Sequence, residues 1–271
     1  IRMHYLDEGW NDDEVILCLH GEPSWSFLYR RMIPVLAEEY RVVAPDLIGF
    51  GRSDKYTEDS DYTYAMHYGS LGDFLHATDL QNITLVCQDW GGILGLALAA
   101  NHADRFKRLV IMNTGLVTGD MPMSPAFMQW RQFVERTGRG LGVGQLISRS
   151  CVDKDRLTPE IVAAYDAPFP DETYKGGVAT FPLLIPLNED DPGAAEQREA
   201  REKLKNWDKP ALVMFSDSDP VTAGGDRFFR KLIPTANDQP EITIEGGGHF
   251  LQEDKGPEIA EHIKAFIERT S

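Results

Sequence analysis

Asp89 is the residue in this sequence best placed for covalent chemistry. It stands in Val86-Cys87-Gln88-Asp89-Trp90-Gly91-Gly92, after the apolar run 83–86 and before the small-residue stretch 93–100. Strand, sharp turn and helix in that order put the apical side chain at the head of the helix, where serine is common. Cys87 and Gly91 are the small neighbours that let the backbone turn tightly. A serine needs a base to become nucleophilic, whereas a carboxylate, with a reference pKa of about 3.9, is already an anion at neutral pH. It can attack an electrophilic sp³ carbon and leave an ester on the chain. The aspartate points away from acyl transfer and toward alkyl transfer.

An ester must then be hydrolysed, and His249 is the candidate base. It follows three glycines in Gly246-Gly247-Gly248-His249-Phe250, a loop free to bring an imidazole over the turn at Asp89, and a neutral imidazole can take a proton from water near pH 7. Phe215-Ser216-Asp217-Ser218-Asp219-Pro220 offers two carboxylates to hold that imidazole. Asp219, immediately before the proline, is the expected partner that fixes the tautomer, and Asp217 is read as a turn residue. His20-Gly21-Glu22-Pro23 supplies the other side of the site. The backbone N–H groups of Glu22 and Trp90 are expected to form an oxyanion hole for the attack of water on the ester. The Glu22 side chain has either a chemical role or a structural one. Trp90 follows the nucleophile, and Trp130 lies three residues after Phe127 on one helix face. Their donor-only indoles suit a departing halide. Trp10, Trp25 and Trp207 are read as packing residues.

These groups need a scaffold. Short apolar runs at 15–19, 41–44, 83–86, 109–112, 211–215 and 241–244 alternate with longer helical segments, as in a mostly parallel sheet covered on both faces. Ligands bind outside the carboxyl ends of such strands, and residues 20–22, 89, 219 and 249 all lie just past a run. The strand pattern stops between 116 and about 205, where helical runs at 126–136, 141–151 and 159–165 are separated by Gly and Pro, and 180–192 is rich in Pro, Leu and Asp. The expected architecture is an α/β-hydrolase fold: a mostly parallel central sheet flanked by helices, with 1–116 and 206–271 forming the core and 117–205 an inserted helical cap. The order Asp89, Asp219, His249 repeats the nucleophile–acid–histidine order of that fold. Two glycine-rich stretches, 49–51 and 138–144, lack the remaining features of nucleotide loops and are read as turns.

Composition narrows the partners. The 271 residues are 42% hydrophobic and 26% charged, an ordinary globular balance. A formal charge of −16 excludes a basic nucleic-acid face and disfavours anionic substrates at long range. Cys18, Cys87 and Cys151 form no CxxC pair and fit a reducing, cytoplasmic setting. No run is long enough to span a membrane. The chain opens at Ile1, so a leader or an additional strand ahead of it is compatible with the sequence.

Across nearly its whole length the sequence resembles the haloalkane dehalogenases. The matching stretches are His20-Gly21-Glu22-Pro23-Ser24-Trp25-Ser26, residues 45–55 from Pro45-Asp46 to Asp54-Lys55, Gln88-Asp89-Trp90-Gly91-Gly92 and Gly248-His249. The resemblance is to the subgroup with an aspartate acid after the later core strand and a cap tryptophan as second halide donor. The sister subgroup has Asn at the position of Glu22 and uses it as donor. An ionised glutamate cannot donate, which assigns that role to Trp130. The resemblance further implies that Phe127 and Phe181 line the halide pocket. It implies cofactor-free, metal-free hydrolysis of a small neutral haloalkane by water, giving a primary alcohol and halide through an alkyl ester on Asp89. An epoxide hydrolase shares the aspartate turn but needs an acid in the cap, usually a tyrosine pair; Tyr165 and Tyr174 stand in no such motif. A fluoroacetate-type dehalogenase would want an arginine pair beside Asp89, and a silent binding protein would need a blocked pocket.

Overall fold

Valine, isoleucine and leucine runs form the strands because, buried on both faces, they pair into a central sheet. The computed structural model describes all 271 residues. The strands are β1 (Tyr5–Glu8), β2 (Val15–Leu19), β3 (Arg41–Pro45), β4 (Ile83–Gln88), β5 (Phe106–Met112), β6 (Ala211–Ser216) and β7 (Ile242–Ile244). They lie in the order β1-β3-β2-β4-β5-β6-β7, parallel throughout except for β1, which runs antiparallel to β3. β1 carries no apolar run; three of its four residues are not even half-buried, as suits an edge strand whose charged side chains discourage further pairing.

The helices are α1 (Ile33–Leu36), α2 (Tyr64–Thr78), α3 (Trp90–Asn101), α4 (Pro125–Thr137), α5 (Val143–Ser150), α6 (Pro159–Asp166), α7 (Gly176–Thr180), α8 (Ala194–Leu204), α9 (Gly225–Leu232) and α10 (Leu251–Arg269). α3 is buried from Trp90 to Ala100, so small residues rather than an amphipathic stripe are what its position demands. α4 starts where Ser124 caps the Phe127 amide and Pro125 sits at the first turn.

Five helices, α4 to α8, leave the sheet after β5 and return before β6. They do not build a core of their own. One cluster of 72 buried residues joins the sheet to Phe127, Val134, Leu141, Tyr165 and Phe181, so the inserted helices and the sheet share a single interior. α8 docks on α3 through Gln197, whose amide donates to Ile93 O at 2.7 Å and Tyr64 Oη at 2.8 Å. No helix is long and apolar enough to cross a membrane.

Candidate active site

Five strand ends, those of β2, β4, β5, β6 and β7, meet above the sheet. At the end of β4 the backbone turns through Asp89, which has φ 52° and ψ −127°. A non-glycine residue there is strained, and the surroundings must hold it. They do so by main-chain bonds: the Asp89 N–H donates to Asn113 O at 2.9 Å, and Thr114 Oγ1 donates to Asp89 O at 2.7 Å. A Cβ on Gly91 would strike the carbonyl oxygens of Leu19 and His20, and one on Gly21 would strike the Asp89 carboxyl. Both glycines are required by this close approach of β2, the turn and α3.

The Asp89 carboxylate is held asymmetrically. Oδ1 accepts the Glu22 N–H at 2.8 Å, while Oδ2 lies 3.5 Å from His249 Nε2. Trp90, first residue of α3, has a backbone N–H among the helix's orphan donors. On the far side of the ring, His249 Nδ1 pairs with Asp219 Oδ2 at 2.9 Å. Burial alone would raise the Asp219 carboxyl, but the His249 charge and the bonds from His249, Thr222 and Val221 outweigh it and hold the group at about 2. Burial works against a charge on His249 too; Asp219 and then Asp89 overcome it and push the imidazole well above its ordinary value. Asp217 instead faces solvent and accepts the Gly246 N–H at 3.0 Å, closing the turn before the histidine loop.

Glu22 is almost fully buried and lines the same cavity as Asp89. Burial, reinforced by the Asp89 charge and opposed by His249, pushes its carboxyl well above the usual range. The expectation that it cannot donate rests on ionisation, which this environment disfavours. Its Oε1 has no hydrogen-bond partner in the chain.

The cavity has a volume of about 630 Å³ and is bordered by Asp89, Trp90, Trp130, Phe127, Asp219 and His249, with Ile93, Leu116, Ile185 and Phe228 among its apolar walls. Phe181 departs from the expectation. It does not border the cavity; it lies fully buried behind Trp90, stacked on that ring at 4.4 Å and on His67 at 4.0 Å. Its neighbour Pro182 takes the wall position. No tyrosine borders the cavity: Tyr165 is buried and donates to Glu253, and Tyr174 is exposed. Arg149 is the only arginine on its wall. No cluster of three or more His, Cys, Asp or Glu side chains is arranged around a metal-sized gap.

Two contributors escape a reading by motif. Asn113, just past β5, donates to Ser216 Oγ, Gly248 O and His249 O and accepts from Ser216 N–H, so it ties three strand ends together. The rule that site residues follow strand ends would have found it. Gln88 Nε2 reaches His249 Nε2 and its carbonyl, each at 3.2 Å. As the last residue of β4 it carried no separate signal.

A family model for the α/β hydrolase fold matches residues 14–141. Over 268 residues, 98% of this chain and 88% of the relative, the sequence is 50% identical to a haloalkane dehalogenase of Psychrobacter cryohalolentis. Over 264 residues, 97% of this chain and 88% of the relative, it is 47% identical to a haloalkane dehalogenase of Mycobacterium marinum. Among solved structures, haloalkane dehalogenase DpaA of Paraglaciecola agarilytica aligns with a TM-score of 0.88 at 43% identity, covering 96% of this chain and 86% of that one.

Proposed function

The chain belongs to the haloalkane dehalogenases, and from that premise we propose how its residues divide the work. The reaction replaces the halogen of a haloalkane by the hydroxyl of water, giving alcohol, halide and a proton. The observation that carries the division is the asymmetry of the Asp89 carboxylate, one oxygen bonded to an amide and the other facing the imidazole.

Asp89 Oδ2 attacks the halogen-bearing carbon in line, the carbon–halogen bond breaks with its electron pair leaving on the halide, and an alkyl ester remains. The indole N–H groups of Trp90 and Trp130 hold the departing anion, each acting through a charge-assisted bond. Esterification erases the Asp89 charge, one of the two that keep His249 protonated, and His249 then releases its proton to solvent. Its free Nε2 takes a proton from water as the water oxygen attacks Cγ of Asp89. The negative charge that develops on Oδ1 falls where the Glu22 N–H already points, with the Trp90 N–H beside it. Collapse breaks the Cγ–O bond to the alkyl group; the alkoxide takes the remaining water proton and leaves as alcohol. His249 keeps the other, and the resting state returns. Asp219 holds the imidazole tautomer throughout.

The helices of 117–205 serve as the cap that closes the cavity, and its apolar wall suits a small neutral haloalkane in a cytoplasmic setting. Phe127 packs the halide end of the wall, and Phe181 backs the Trp90 indole rather than touching substrate.

The test is His249→Gln with 1-bromobutane. Bromide should be released once per chain and an adduct one butyl group heavier should accumulate on the Asp89 peptide by mass spectrometry. Absence of that adduct, with bromide still released catalytically, sinks the covalent route.

A further inference from the structure

Two carboxylates at the start of α10, Glu253 and Asp254, are almost completely buried just beyond His249 in the chain. A buried carboxylate is unfavourable unless its charge is met. Glu253 is met by a forked Arg30 and by the Tyr165 hydroxyl of α6. Asp254 has no cation against it. Its charge is met by three main-chain N–H groups: Gly248 at 2.8 Å, Asp153 at 2.8 Å and Val152 at 3.0 Å to the nearer oxygen. The first of these belongs to the residue before His249. The other two belong to the inserted helices, in the stretch whose Cys151 and Val152 form part of the cavity wall.

The same two segments meet again beside that carboxylate. The His249 N–H donates to Ser150 O at 2.9 Å, and a Cβ on Gly248 would strike that same oxygen. The histidine loop and the wall at 150–153 are thus zipped face to face around one side chain. Asp89 has no bond to Asp254 or to 150–153: Asn113 O and Thr114 Oγ1 hold its main chain and the Glu22 N–H its carboxylate, and a link to the histidine loop runs through the Asn113 side chain.

We propose that Asp254 is a positioning residue that fixes the backbone of His249 to the cavity wall, so that it governs hydrolysis of the alkyl-enzyme and not its formation. The proposal rests on the reading of Asp89 as nucleophile and His249 as base. The consequence follows from which group each step uses. A displaced loop moves Nε2 relative to the attacking water, and misplacement of about 1 Å is enough for a loss on the order of 100-fold. The first displacement needs Asp89 and the halide donors, none of which touches Asp254.

The experiment is rapid-quench kinetics on the full chain with 1-bromobutane, reading bromide and the mass of the protein together. Asp254→Asn turns one acceptor oxygen into an NH₂ group facing N–H donors. The expected result is a bromide burst within about twofold of wild type, a steady-state rate down by roughly 10- to 100-fold and butyl-enzyme accumulating on Asp89. Tyr165→Phe is the control, because it breaks the other bond between the insertion and α10 without touching the loop; its ratio of burst to steady state should match wild type. If Asp254→Asn slows burst and turnover in parallel, or loses burst amplitude alone, the residue is merely structural and the proposal is overturned. Should that variant not fold, Val152→Pro removes one of the three donors and leaves the carboxylate. It should shift the ratio in the same direction, and an unchanged ratio overturns the proposal. His249→Gln, run alongside, separates the two levels: no adduct there defeats the mechanism itself, whereas adduct there with none in Asp254→Asn defeats only the role of Asp254.

Discussion

The rim of the sheet and the inserted helices hold their functional side chains by different means. On the rim, Asp89, Asp219 and His249 sit on turns fixed by main-chain bonds and by glycines that admit no side chain. In the insertion, Trp130 is half-buried on α4, tilted against Phe133 at 5.8 Å and packed beside the common core. A hydrogen-bonded turn defines an atom to a fraction of an ångström, whereas apolar packing tolerates exchange of side chains of similar volume. On the proposed division of work, the rim sets which reaction is run, and the insertion sets what is admitted to it and how well the leaving group is received.

That contrast breaks most visibly at the two carboxylates after β6. Asp219→Asn should lower turnover by roughly 10²- to 10⁴-fold, since the tautomer and the imidazolium both lose their partner. Asp217→Asn, which disturbs only the Gly246 turn, should stay within about threefold of wild type. Steady-state halide release measures both. The opposite ranking would place the charge partner two residues upstream and undo the account of the rim.

A smaller loss is expected from the insertion. Trp130→Phe keeps the ring and removes one N–H, and a charge-assisted bond of about 1.5–3 kcal/mol corresponds to roughly a 10- to 150-fold slower carbon–halogen cleavage. Stopped-flow quenching of tryptophan fluorescence by bromide should weaken in the same variant. Cleavage at the wild-type rate would make Trp130 a packing residue and shift attention to the buried carboxyl of Glu22.

The smallest effect concerns where the two regions meet. His67 of α2 stacks on Phe181 of the insertion, and both of its ring nitrogens lack partners. Burial lowers its pKa from 6.5 to about 3. With the folded value below the unfolded one, the unfolded chain takes up a proton between those limits that the folded chain refuses. Stability from this group is complete above about 6.5 and is lost as the pH falls toward 3. His67→Phe should therefore move the acid unfolding midpoint down by about half a pH unit, followed by circular dichroism. An upward shift would mean that the ring is held by contacts a phenyl group cannot replace.

The same contrast explains what the sequence revealed. Runs of β-branched and aliphatic residues located the parallel strands, and the turn residues beyond them located Asp89, Asp219 and His249, because strand, glycine and proline signals are local. β1 was invisible because an edge strand needs no apolar run. Asp254 was invisible for another reason: two of its three donors, Val152 and Asp153, lie more than 100 residues away, whereas Asn113 stood at a strand end and was passed over. Phe181 was misplaced because an aromatic residue near a motif says only that it is buried, and the layer behind Trp90 is as apolar as the cavity in front of it. Trp130 was placed by resemblance, with helix periodicity supplying only its shared face with Phe127.

Cys151 gives the cavity wall one further property. Haloalkanes alkylate thiolates more readily than carboxylates, and Cys151 is among the residues that border the cavity. Burial first, and then the nearby charges of Asp254 and Glu253, raise its pKa far above the ordinary thiol range. The group stays a thiol, a poor nucleophile. The wall thus carries a residue whose thiolate would be open to alkylation, and the fold denies its sulfur that anion. Self-inactivation should then be rare across many turnovers, and should begin only under conditions that strip a proton from Cys151.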